Sequence, residues 1–95
     1  MDRNEALSLL DAHLDQYRKL SHAELAARIG NEECSEVVAP SGVQYQIEIQ
    51  VVWDHKPNGE IRVLGAIDDG GLRAFMPLSR DLIVRADEHD LDNGT

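Results

Sequence analysis

Between Val43 and Trp53 the chain reads V-Q-Y-Q-I-E-I-Q-V-V-W, with large apolar side chains at every odd position and polar ones at the even positions up to Val52. Strand side chains alternate faces with a period of two, and no helix tolerates this pattern. The segment is therefore expected to be a strand that lays Val43, Tyr45, Ile47, Ile49, Val51 and Trp53 on a core. Gln44, Gln46, Glu48 and Gln50 then face water. A half-buried strand needs a partner strand and a cover on its apolar face, so the rest of the chain must supply them.

The helical cover is found upstream. Leu7, Leu10, Leu14 and Tyr17 recur at three- and four-residue spacings, flanked by Ala6, His13 and Leu20, which predicts an amphipathic helix from about Asn4 to Leu20. Ser21-His22-Ala23-Glu24 has the form of a capping box, and Gly30 suits a C-terminal cap, so a second helix is expected over 22–29. The stretch 31–42 has no clean period and ends in Pro40-Ser41-Gly42, and reads as a connection.

Downstream, Lys56-Pro57-Asn58-Gly59 suits a type I turn with Pro at its second position, followed by a left-handed Gly that makes a bulge, the usual three-residue hairpin loop. Pairing Lys56 with Glu60 sets Asp54 opposite Arg62, Trp53 opposite Val63, Val51 opposite Gly65 and Ile49 opposite Ile67. Asp69 and Gly70 then make a two-residue turn that sets Ile67 against Leu72, Gly65 against Ala74, Leu64 against Phe75 and Val63 against Met76. The core face gains Ile61, Val63, Ile67, Leu72, Ala74, Met76 and Leu78. Either Leu82 to Arg85 form a short fourth strand or Ser79 to Arg85 form a helical turn.

The expected fold class is α+β: two N-terminal helices packed on one face of a three- to four-stranded antiparallel meander. At 95 residues the chain is long enough for one domain (1–95) and one modest core. It divides into a helical part (1–30), a connection (31–42), the sheet (43–86) and an acidic tail (87–95) expected to fray.

This register brings Val52, Leu64 and Phe75 into line on the face away from the helices, with Arg62 and Arg73 at the rim. An apolar centre with an arginine-bearing rim is how a modest protein interface is built. The competing expectation is that Leu82, Val84 or Leu91 folds over the stripe.

Charge narrows the partners. Nine Lys and Arg stand against 18 Asp and Glu, a net charge of -9, which repels a phosphate backbone and argues against nucleic acid. The excess sits in residues 1–42 (net -4) and 87–95 (net -4), while 43–86 is nearly neutral (net -1). Leu20 to Gly30 resembles the first helix of a helix-turn-helix, but no basic recognition helix follows it. The tail D-E-H-D-L-D-N-G-T lacks the glycine and glutamate positions of a calcium loop. Nothing reads as a signal peptide or a membrane span, and the single cysteine excludes an internal disulfide, so the cytoplasm is the expected compartment.

Candidate chemistry is sparse. Asp54 and His55 are sequence neighbours and should face opposite sides of a strand, a poor acid–base pair. Asp68 and Asp69 precede two glycines, as a tight turn wants. His13 and His22 have no second ligand at metal spacing. Cys34 lies among Glu32, Glu33 and Glu36, which should raise its thiol pKa. No phosphate-binding glycine motif occurs. No catalytic, metal or cofactor site is expected, and the chain reads as a non-enzyme.

The run from Tyr45 through W-D-H-K-P-N-G-E-I-R-V-L-G-A-I-D-D-G-G-L-R-A-F-M-P-L-S resembles a family of small bacterial proteins of unknown function. These share a Tyr-led strand, a Trp-Asp turn, a D-D-G-G turn and an aromatic-x-Pro-Leu segment. The resemblance covers about half the chain and implies the architecture and a bacterial origin. It carries no activity to transfer, and the A-D-E-H-D after the last strand departs from the family's Pro-Asp-Gly turn.

Together these features point to a protein-binding or self-associating module, either a homodimer or one with a protein partner. One alternative is an immunity or inhibitor protein that binds a basic partner by charge complementarity. Another is a small ligand-binding or hydrolytic domain using Asp54, His55, Asp68 and Asp69. A third, acidic mimicry of DNA, requires ordered carboxylates and ranks last.

Overall fold

The computed structural model describes residues 2–70 and 78–86. Two helices, α1 (Arg3–Arg18) and α2 (His22–Ala26), precede four strands, β1 (Glu32–Val38), β2 (Gln44–Trp53), β3 (Ile61–Asp68) and β4 (Leu78–Val84). The strands form one antiparallel sheet in the order β1-β2-β3-β4. The α+β class and the meander are as expected, and the two helices differ greatly in length.

Helix α1 starts where the Asp2 carboxylate accepts from the Glu5 amide at 3.1 Å, satisfying one of the otherwise unpaired first-turn donors. Ala6, Leu10, Leu14 and Tyr17 make its buried stripe. The helix ends two residues before the predicted Leu20. The Ser21–Glu24 capping box forms in both directions, at 3.1 and 3.0 Å, and opens α2. That helix is shorter than predicted. After Ala26 the amides of Arg28 and Ile29 bond back three residues, to Leu25 and Ala26, a tightening typical of helix ends. Gly30 then takes φ 87° and donates to the Val51 carbonyl, steering the chain onto the sheet.

The predicted connection over 31–42 is in large part a strand. Glu32–Val38 pairs with β2 along its whole length, from Glu32 opposite Gln50 to Val38 opposite Gln44. Its hairpin is Ala39-Pro40-Ser41-Gly42, where the Gly42 amide bonds to the Ala39 carbonyl, Gly42 has φ 93° and the Ala39 amide bonds to the Val43 carbonyl. Pro at the second position and a left-handed Gly make this the three-residue loop assigned from the sequence to Lys56–Gly59. Val43, placed on the core by alternation, falls in this turn and is 40% exposed.

At Lys56–Gly59 the left-handed residue is Asn58, φ 69°, with the Gly59 amide bonded to the Lys56 carbonyl, so the turn has the positive φ at its third position that a type II turn requires, in place of the expected type I turn with a left-handed Gly. The hairpin is two residues longer than expected. Asp54, not Lys56, bonds to Glu60, and β2 pairs with β3 as Trp53 with Ile61, Val51 with Val63, Ile49 with Gly65 and Ile47 with Ile67. A slip of two keeps every side chain on its predicted face.

The partner of β3 is also corrected. Leu78–Val84 occupies that edge, with Ile67 opposite Leu78, Leu64 opposite Asp81 and Val63 opposite Leu82. The expected pairings of Leu64 with Phe75 and of Val63 with Met76 are thereby excluded. Residues 79–84 are strand and not helical turn.

The inner face is a core of Tyr45, Ile47, Ile49, Val51, Ile61, Val63 and Ile67 under Ala6, Leu10, Leu14, Tyr17 and Leu25, with no buried charge among the described residues. Helix α1 lies over β3 and β4, and α2 over β3. Gly65 permits that approach, since its missing Cβ would stand 3.0 Å from Leu10, 3.2 Å from Leu14 and 3.3 Å from Ile49 side-chain carbons. Leu78, Leu82 and Val84 close the core from β4.

Candidate functional site

With both helices on the inner face, the outer face of the sheet has no described element over it. Its side chains follow from the register. One row runs Glu32, Gln50, Leu64, Asp81, the next runs Cys34, Glu48, Ala66, Ser79, and at one end Val52, Arg62 and Ile83 lie side by side. Val52 and Leu64, expected opposite one another, are diagonal neighbours on the same face. Phe75 and Arg73 lie outside the described residues. Ile83, 40% exposed, and Val38, 68% exposed on β1, are apolar residues of this face that the sequence does not reveal, because pairing β3 with residues 72–78 and reading 31–42 as a connection leaves both off the sheet face.

Arg62 is threaded between Val52 and Ile83. Its Nε and Nη2 both meet Asp54 Oδ1 at 2.8 Å, while Nη1 pairs with Asp81. The hydrogen bond to Asp54, and then the charge of Asp54, hold the guanidinium still more firmly protonated than usual. Its aliphatic stem extends the apolar strip and its head is already neutralised. Arg62, expected as a polar anchor at the rim, is thus already paired within the face.

A shallow groove of about 330 Å³ crosses β2, β3 and β4 here, lined by Glu48, Gln50, Leu64, Gly65, Ala66, Ser79, Arg80 and Asp81, with the Arg80 guanidinium engaged by Asp11. A second, of about 310 Å³, lies over β1 and β2 against Cys34, Glu36, Gln46 and Glu48. The two meet at Glu48. Glu32 accepts from Gln50 at 2.6 Å, and Glu36 accepts from Gln44.

Donor atoms of Glu32, Cys34 and Glu48 come within 4.8 Å of one another, all exposed. Desolvation, and then the charges of Glu32 and Glu48, raise the Cys34 pKa, so its thiolate is disfavoured. The direction matches the expectation, but the charge that joins Glu32 is that of Glu48 from the neighbouring strand, not Glu33 or Glu36. An exposed trio of this kind attracts cations weakly and is not by itself a metal centre.

The other candidates are scattered. His55 Nε2 meets Asp54 Oδ2 at 3.1 Å, because β2 ends at Trp53 and strand alternation no longer separates the two residues. This corrects the expectation that they face apart. Asp54 is nonetheless held by Arg62, and the His55 side chain is 82% exposed. Asp68, whose Oδ1 accepts from the Gly70 amide at 2.7 Å, ends β3 at the opposite end from Asp54, about 26 Å away at strand rise. The four residues do not converge on one point. The Gly59 carbonyl accepts from His22 Nε2 at 2.7 Å, tying the hairpin to α2, and His13 packs near the Tyr17 ring.

Compared with known protein families, with characterised proteins and with solved structures, the chain matches none. No helix among the described residues is long and apolar enough to cross a membrane.

Proposed function

We propose that this chain is a non-enzymatic, cytoplasmic protein-binding domain that docks a protein on the outer face of its sheet. The observation that carries the reading is the one-sided cover: α1 and α2 both lie on the inner face, while Val52, Leu64, Ala66 and Ile83 remain half-buried or exposed on the other. Antiparallel sheets tolerate one wet face, but that face is then normally polar throughout. Apolar side chains spread over three strands and framed by charges are the composition of a binding patch.

Photo-crosslinking in native cells tests this. A benzoylphenylalanine at position 64 or 83 is expected to give a discrete adduct, and one at position 15, on the solvent side of α1, is expected to give none. Leu64→Asp should abolish the adduct at position 83 without unfolding the domain, because the side chain is only half-buried. No adduct from either sheet position would refute the docking face.

A further inference from the structure

The charge of the outer face identifies what kind of partner fits it. Its strands carry five carboxylates, Glu32, Glu36, Glu48, Asp68 and Asp81, against one guanidinium, Arg62, which Asp54 and Asp81 already occupy. The inner, helical side is balanced instead. Arg80 pairs with Asp11 at 3.0 Å, Arg28 with Glu33 at 3.4 Å, and Arg18 with Asp15. Glu32, Glu36 and Glu48 have no cationic partner among the described residues. Two copies meeting through this face would set like charges against like, which disfavours self-association at the sheet.

We propose, building on the docking face above, that its occupant is a short extended segment of a cationic protein that lies across the strands. The row Ser79, Ala66, Glu48, Cys34 spans four strands, about 14 Å at the usual inter-strand spacing, the reach of about four extended residues. Both grooves lie on this row and share Glu48. A lysine or arginine stem rests on Leu64 and Ala66 while its head meets Glu48. The next side chain pointing the same way, about 7 Å further along, reaches the Glu32 carboxylate beside Cys34. The carboxylates supply rate and selectivity, and the Leu64–Ala66 floor supplies burial.

The probe is a capped eight-residue peptide alternating lysine with leucine and alanine, titrated into the isotopically labelled full chain at 20 mM NaCl and monitored by amide shifts. Saturable shifts are expected at Glu48, Gln50, Leu64, Ala66 and Ser79, and a glutamate counterpart of the peptide should produce none. Glu48→Lys combined with Glu32→Lys should weaken binding at least tenfold, and 200 mM NaCl should weaken it similarly. Shifts of equal size around Asp11, Asp15 and Glu24 would overturn the proposal, since they would show only attraction between opposite net charges. An adduct at position 64 whose captured chain is a second copy of this protein would overturn the cationic assignment and leave the docking face standing. No adduct and no peptide shifts would remove both.

Discussion

At the scale of single residues the tightest constraint is at Gly65. Its position in β3 needs no unusual backbone angle, so an alanine there gains strand propensity and loses less chain entropy on folding, about 0.5–1 kcal/mol in its favour. Against that stand three side-chain carbons within 3.3 Å of the new Cβ, two of them from α1 and one from β2. Leu10, Leu14 and Ile49 are themselves almost fully buried and have no void to turn into. Overpacking of this kind costs about 1–3 kcal/mol and outweighs the gain. Gly65→Ala is expected to lose about 1 kcal/mol and Gly65→Val about 3 kcal/mol, measured as urea midpoints with an unchanged slope. A Gly65→Val protein as stable as the parent would mean that α1 does not lie where it is described.

Among the elements, β1 is tied to α1 by one polar contact. Tyr17, on the last turn of α1, donates its hydroxyl to Glu33, while its ring is buried. Burial, then the hydrogen bond to Glu33 and the charge of Glu33, push the phenol well above its ordinary pKa near 10. The neutral phenol is therefore the folded-state form. Its contribution is fully present below about pH 10, the unfolded value, and is lost as pH rises beyond it. Tyr45, which donates to Glu5 at 3.0 Å, is shifted in the same direction by its burial and by Glu5. Tyr17→Phe should cost about 1 kcal/mol at pH 7 and lose less stability than the parent between pH 10 and 11.5, read from urea midpoints at each pH. A parallel loss in both proteins would sink the assignment. The same tie shows why β1 escaped a reading of the sequence alone. On an edge strand only Val37 packs against the core, and Glu33 and Ser35 share its inner face, so E-E-C-S-E-V-V has no alternation to detect. Strand β2, covered on one face along its length, shows its alternation openly. The two turns containing Pro and Gly were legible as turns, but their bond patterns were not, since only φ distinguishes Gly42 from Asn58 as the left-handed residue. Because faces survive a slip of two, the outer face was readable as a surface. Its neighbours were not, and Leu64 has Asp81 beside it where Phe75 was expected.

For the whole molecule the deciding quantity is a net charge of -9 on a body of about 45 × 25 × 17 Å. At 0.01 M salt the screening length is about 30 Å, longer than two of those dimensions, so every carboxylate repels most of the others. At 0.15 M it is about 8 Å, and only neighbours interact. Raising NaCl between these limits at pH 7 should therefore raise the urea midpoint without changing its slope. The gain should shrink toward pH 4.6, where the net charge vanishes. A fall in the midpoint would instead show that ion pairs such as Arg62 with Asp54 outweigh the general repulsion. The same reasoning separates the stability of the outer face from its use. Glu48 has Glu32 near it and no base among the described residues, so Glu48→Lys replaces a repulsion with an attraction and should raise stability by a few tenths of a kcal/mol at low salt. In the peptide titration that substitution should weaken binding. A carboxylate whose removal stabilises the free domain while impairing its complex is retained for the complex. If Glu48→Lys lowers stability, the carboxylate has a structural role in the sheet and the cationic-partner reading loses its electrostatic basis.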